Sequence, residues 1–359
     1  MKQIFWAACL CVLSNILYSQ KIFDAIKEGD LKYVESWIEK GKDLDKFYLK
    51  ADAEGKEFNI HPFAYAVYFY DAEMVNLFIE NRYEFTNFND LASAALGMAI
   101  QNCNEQAYNI LIDQGADIDY ACRTCGNTSP ISISVKYNCF SIYELLMAKG
   151  ALLENKQADY NIIHTAAETD SLKFLQDLII DNNLDVNLLT PVQTNAAFFA
   201  ANSGKLENLK FLISKGCQYD ILDIEGLGIL SYANDVETFK YLEDLLINSK
   251  GLKKEDLVNP NKPLIYQIIL SDNAELFDYY LERYGSFPLN KKGKYDYPPT
   301  FMLLYIKNNT EYFLNELIRR KVKLDAEDKN GKTLKYWAKR LKNKELLDAI
   351  KSIEDKKNK

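Results

Sequence analysis

Cys122-Arg-Thr-Cys125 places two thiols three residues apart, a spacing that serves redox exchange, zinc binding or a local disulfide. Redox work needs a strand before the pair and a helix N-terminus after it, to hold a low-pKa thiolate. The flanking sequence offers neither, and only Arg123 lies close. Zinc would need a second ligand pair, and no histidine is near. In an oxidising compartment a local disulfide stapling the loop is the preferred reading, with a thiol-redox protein using Cys122 and Cys125 as the alternative. Cys103 and Cys139 form a less favoured second pair, which requires Cα atoms within about 7 Å. Cys217 reads as buried and unpaired.

Histidine is scarcer still. The 359 residues hold two, His61 and His164, which limits imidazole-based metal sites and acid–base catalysis at once. They lie about three repeats apart, too far to share a site at roughly 10 Å per repeat. Phosphate-cradling glycine loops, nucleophile elbows and HExxH are absent from the sequence. Asp113, Asp117 and Asp119 lack the spacing of a calcium loop and read as turn and capping groups. The expectation is therefore no catalytic residue, no metal and no cofactor.

The elements that must carry these residues are set by composition and period. The chain is 48% hydrophobic and 26% charged, and its 24 Tyr, 19 Phe and 3 Trp are ample for a large core. Net charge is −8, which argues against a nucleic-acid binder. The charge is uneven: residues 321–359 carry 13 Lys/Arg against 7 Asp/Glu, leaving −14 for the first 320. Such a basic end usually caps a fold in solvent.

Met1-Lys2 and the apolar run Ile4 to Leu13 read as the n- and h-regions of a signal peptide covering 1–19, cleaved before Gln20. The run is too short to span a bilayer. An exported, periplasmic or secreted protein is expected, with 20–353 as one repeat domain and 354–359 as a short charged tail.

After the leader, a small or polar residue is followed twelve positions later by the end of a second helix. The pairs include Gly29/Gly41, Cys103/Gly115, Asn138/Gly150, Asp170/Asn182, Gly204/Gly216 and Asn309/Lys321. The period is near 34 residues. Ala25, Ala99, Ala166 and Ala200 share one helical position, and Ala233 and Ala338 join them if a small insertion is allowed. Small residues there let antiparallel helices pack closely. Two spacers, 46–58 and 286–299, are long.

Gly115-Ala-Asp-Ile-Asp119, Ile163-His-Thr-Ala-Ala167, Asp185-Val-Asn187 and Asp328-Lys-Asn-Gly-Lys-Thr333 resemble the ankyrin repeat. The resemblance implies an all-α solenoid of helix–turn–helix units with β-turn fingers, nine repeats to about 325 and a degenerate tenth to about 353. It makes His164 structural, at the repeat's own His position, and His61 is read the same way. It also implies a non-enzymatic scaffold, monomeric and with no membrane span, that binds a protein partner on its finger and first-helix face. Candidate contacts are Tyr120, Arg123, Tyr160, Tyr295 and Tyr297 on fingers, with Phe69, Tyr70, Tyr137 and Phe199 on first helices. Against each stands the plainer role of a core aromatic. A periplasmic protector or an immunity-type protein would fit this class.

Overall fold

The computed structural model describes residues 21–40, 48–51, 57–69, 72–81, 88–121, 128–153, 161–253, 257, 264–285 and 297–357. They form two compact units, Met1–Thr169 and Asp170–Lys359.

Unit 1 contains residues 21–28 (α1) and Leu31–Glu39 (α2), then an antiparallel hairpin of Tyr48–Ala51 (β1) and Glu57–Ile60 (β2). Pro62–Phe69 (α3) and Ala72–Glu80 (α4), Phe88–Gln101 (α5) and Glu105–Asp113 (α6), and Pro130–Lys136 (α7) and Phe140–Ala148 (α8) follow as pairs, with Ile162–Ala167 (α9) last. The hairpin occupies the first long spacer, where periodicity alone indicates only an insertion. It is the one sheet among the described residues, in an otherwise helical architecture.

Unit 2 begins with Leu172–Gln176 (α10), which continues as a π turn over Asp177–Asp181. Ala196–Asn202 (α11) pairs with Leu206–Ser214 (α12), and a 3-10 turn, Ile229–Tyr232, precedes Val236–Lys250 (α13). Ile265–Leu270 (α14) pairs with Ala274–Tyr284 (α15), and a second 3-10 turn, Pro299–Leu304, precedes Thr310–Arg319 (α16). Leu334–Arg340 (α17) and Lys344–Lys357 (α18) close the series. The degenerate tenth repeat is thus a full helix pair, and its second helix runs on past residue 353.

The shared alanines have a specific task. The second helix of a repeat starts where its N-cap N–H donates to the carbonyl five residues earlier. Asn104 reaches Ala99, Lys205 reaches Ala200 and Asn343 reaches Ala338, at 2.8 to 2.9 Å. Ala99, Ala200 and Ala338 are fully buried, and a larger side chain there would push the two helices apart. Ala338 takes this place with no insertion.

Helices end as the spacing predicts. At Gly150 (φ +79°) the backbone turns left-handed, its N–H bonding Met147 O and that of Ala151 bonding Leu146 O, the closure that glycine permits without a Cβ clash. Lys321 (φ +63°) makes the same closure with a side chain. In the fifth repeat the left-handed residue is Asn183 rather than Asn182, because the π turn takes in one extra residue.

Second helices bury one stripe each: Ala107, Tyr108 and Leu111 in α6, Ile142, Tyr143 and Leu146 in α8, Leu276, Phe277 and Tyr280 in α15. Each large side chain removed from water contributes roughly 1.5–3 kcal/mol. Polar loop residues tie neighbouring repeats together: Asp119 accepts the Leu152 N–H in the next repeat (2.7 Å), and Asn187 accepts that of Gln218 (2.8 Å).

Candidate functional site

Cys122 and Cys125 lie outside the described residues, as do Tyr70, Arg123, Tyr160 and Tyr295. Cys103 and Cys139 do not. Cys103 is the left-handed residue (φ +49°) between α5 and α6, and Cys139 is the buried N-cap residue of α8. Their sulfurs meet, with Cα atoms 5.3 Å apart across 36 residues of sequence.

That meeting is one instance of a recurring seam. The turn residue of one repeat faces the N-cap residue of the next, and unit 2 fills the same two places differently. Asp170 pairs with Lys205. Gly204 sits under Asp235, so close that a Cβ on it would lie 2.8 Å from Oδ2. Asp272 (φ +52°) accepts the N–H groups of Lys307, Asn308 and Asn309 at 2.8 to 3.1 Å. Burial raises the Asp272 carboxyl, but those three donors and the Asn309 amide outweigh it and hold the group below its ordinary value.

The first-helix face is the second construction. Counting back from the second-helix N-cap, positions six, three and two residues earlier share one helical face. In unit 1 this face carries Tyr65, Tyr68 and Phe69 from α3, and Lys136 and Tyr137 at the end of α7. Tyr68, Phe69 and Tyr137 are 38%, 40% and 42% exposed, whereas most large aromatics are buried. Phe69 packs on Tyr65 (4.8 Å between centroids) and edge-on with Tyr68 (5.1 Å), and Lys136 reaches over Tyr137. The rings are preset at little entropic cost.

The other aromatics are more engaged. Phe199, at the same face in α11, and Tyr120 are half-buried. Tyr297 stacks on Phe301 and gives its carbonyl to the Tyr266 hydroxyl.

The titratable interior is tied up. His61, 1% exposed, accepts the Phe63 N–H on Nδ1 (3.2 Å) and so caps α3, while His164 is buried within α9. Cys217 is buried and unpaired, its thiol pushed up to about 12, first by burial. Among the described residues no cluster of three or more His, Cys, Asp or Glu could hold a metal. No described helix is long and apolar enough to cross a membrane.

Sequence reading missed Glu243. Buried in α13, it receives Arg283 Nε at 3.0 Å and the hydroxyls of Tyr279 (3.0 Å) and Tyr284, all from α15. Both tyrosines are raised, first by burial and then by that carboxylate, Tyr279 to about 12. The one available signal is a glutamate on the buried stripe of α13. Its partners 36 to 41 residues on carry no local mark.

No family model matches the chain. It is similar to an ankyrin repeat protein of Acanthamoeba polyphaga mimivirus, 24% identical over 345 residues, covering 87% of this chain and 43% of that protein. It is also similar to an ankyrin repeat protein of Fowlpox virus (strain NVSL), 24% identical over 104 residues, 29% of this chain and 15% of that one. The chain thus spans less than half the length of these curated relatives.

Proposed function

We propose that this chain, a divergent ankyrin-repeat protein, is an exported, non-enzymatic scaffold that holds a protein partner against the first-helix face of unit 1. One observation carries the reading: Tyr68, Phe69 and Tyr137 stand out of the helix ends on a single face of unit 1, where Phe23, Phe63, Phe78, Tyr108 and Tyr143 fill the core. Each buried titratable group named above already has a structural role or lies within the core, which supports binding over turnover. A periplasmic protector or an immunity-type protein belongs to this class.

The test is binding of a partner captured from the native envelope fraction to the purified full chain. Phe69→Ala and Tyr137→Ala should each weaken it about tenfold, as loss of a central aromatic anchor does. Unchanged binding by both would remove the face.

Export has its own support at the seam. The Cα spacing of Cys103 and Cys139 lies within the range that a disulfide spans. In an oxidising compartment the two thiols would give two electrons and two protons to the disulfide of a thiol oxidase, which is itself reduced to the dithiol. Non-reducing peptide mapping of protein from its native host should recover residues 103 and 139 on one cross-linked species, and N-terminal sequencing should begin at Gln20. Free thiols at both positions, or an intact Met1, would place the scaffold elsewhere without touching its binding face.

A further inference from the structure

The basic end of the chain is not spread as a solvated cap would be. Residues 329–344 hold seven Lys/Arg and no Asp/Glu, while 345–355 hold four acids and one lysine. The structure gathers most of these cations around one helix. Six of the seven cations belong to the finger tip, α17 and the turn after it, whereas α18 carries four acids against four lysines, so the first-helix side of this repeat is the more positive.

The positive side is built around Trp337. Its indole N–H donates to Asp328 Oδ2 (2.9 Å), and the same carboxylate accepts the N–H groups of Asn330 and Lys332, which folds the finger against α17. The half-exposed ring is covered edge-on by Tyr336 (5.6 Å) and carries the Arg340 guanidinium 5.3 Å from its centroid. Lys332 lies 4.8 Å over the exposed Tyr336 ring. Trp337, Arg340 and Leu341 occupy the three face positions that in α14 are Gln267, Leu270 and Ser271. Lys335 is committed to Glu354 (2.6 Å), whereas Arg340 is held over the Trp337 ring and Lys332, over Tyr336, lies in the field of the Asp328 carboxylate.

We propose that this face, Lys332, Tyr336, Trp337, Arg340 and Leu341, binds a short acidic peptide segment carrying an apolar side chain. Charge complementarity selects the occupant. The other 343 residues sum to −15, so a long polyanion would be repelled beyond the patch, whereas a short acidic segment meets only the patch. Leu341, 52% exposed, and Tyr336 offer apolar contact that a phosphate backbone would leave unused. Arg over Trp gives a planar, ordered cation for a carboxylate. The inference goes beyond the proposed function and uses different residues, so its failure leaves Tyr68, Phe69 and Tyr137 untouched.

The experiment is fluorescence anisotropy of the full chain with a short fluorescein-labelled peptide of Glu, Asp and Leu. Tryptophan emission gives a second readout, because Trp37 is buried and the Trp337→Phe variant isolates what Trp337 contributes. Saturable binding that weakens with salt is expected, with a blue shift of emission that Trp337→Phe abolishes. Arg340→Ala, at an exposed position that the fold can spare, should weaken binding about tenfold. The proposal falls if Arg340→Ala binds like the native chain, or if a Gln/Asn/Leu peptide of equal length binds as well. It falls equally if oligodeoxythymidine or phosphatidylserine vesicles outcompete the acidic peptide.

Discussion

The two units join neighbouring repeats at the same backbone positions with opposite chemistry. In unit 1 the turn residue Cys103 meets the N-cap residue Cys139, and nothing at that junction titrates once the sulfurs are joined. In unit 2 the equivalent Asp272 gathers three N–H groups, and between α13 and α15 the buried Glu243 gathers a guanidinium and two hydroxyls. The backbone fixes that the two positions touch; the side chains decide what can undo the contact. Unit 1 should answer to reductant and unit 2 to acid or to loss of a carboxylate.

The largest break should come from Glu243→Ala. Removing the acid leaves the Tyr279 and Tyr284 hydroxyls without their acceptor beside a buried void, at about 1–3 kcal/mol each, while the exposed Arg283 is freed to solvent. Urea unfolding should lose that much, with added reductant making no further difference to the unit 2 transition. Glu243→Gln, which keeps the shape and loses the charge, should cost less. Equal stability of the alanine variant would mean that this cluster does not hold α13 to α15.

Next comes the sulfur seam. In oxidised protein the Cys103→Ser/Cys139→Ser pair should lower stability by about 2–4 kcal/mol, the ordinary worth of closing a loop of this length. Reductant should abolish the difference between the native chain and the variant. Identical melting of native and variant chains under oxidising conditions would erase the contrast between units.

Acid should act on the other side. The Asp272 carboxyl sits below its ordinary value of 3.8, so its contribution is fully present above that value and disappears as pH falls through the lower, folded one. Asp272→Asn should cost about 1 kcal/mol at neutral pH, through weaker acceptance of the three N–H groups. It should also flatten the stability profile below about pH 4, where the native chain weakens. A variant with the same acid slope as the native chain would show that Asp272 is not the titrating group.

How far these contrasts could be read from sequence depends on range. Repeat number, helix ends at Gly150 and Lys321, the shared alanines and the turn role of Asp117, which accepts the Asp119 N–H, all follow from spacings within one period. Their physics is local: a left-handed turn, a close helix approach, an Asx turn. The fold class was legible for that reason. The hairpin was not, because residues 48–60 interrupt the period, nor was the extra residue of the π turn at Asn183. The Cys103/Cys139 meeting was half legible, since offset positions in adjacent repeats suggest nearness without proving contact. Glu243 was illegible, because its partners lie one repeat away on another helix. Of the candidate binding residues, Phe69 and Tyr137 do stand exposed on the expected face, while Tyr297 is engaged in packing. Trp337 and Arg340 were passed over because a basic run read as solvent-facing hides how its charges are sorted.

The subtlest test is at Gly204, where the seam holds no side chain on one side. Its φ of +64° already disfavours any residue with a Cβ, and the added carbon would sit 2.8 Å from Asp235 Oδ2. Asp235 cannot simply swing away, because its Oδ1 caps α13 through the Thr238 N–H at 2.8 Å. Gly204→Ala should therefore cost about 1 kcal/mol from the left-handed backbone alone, and somewhat more from the displaced cap. The two parts separate in a cycle with Asp235→Asn and Asp235→Ala. If the clash matters, Gly204→Ala is less costly in the Asp235→Ala background than in the native one, and the coupling measures how tightly the seam closes. If the cost is the same in both backgrounds, the clash relaxes freely. The contact at this junction would then be set by backbone turn geometry rather than by side-chain fit, and the side-chain share of the strength of unit 2 would rest with Asp170, Asp272 and Glu243.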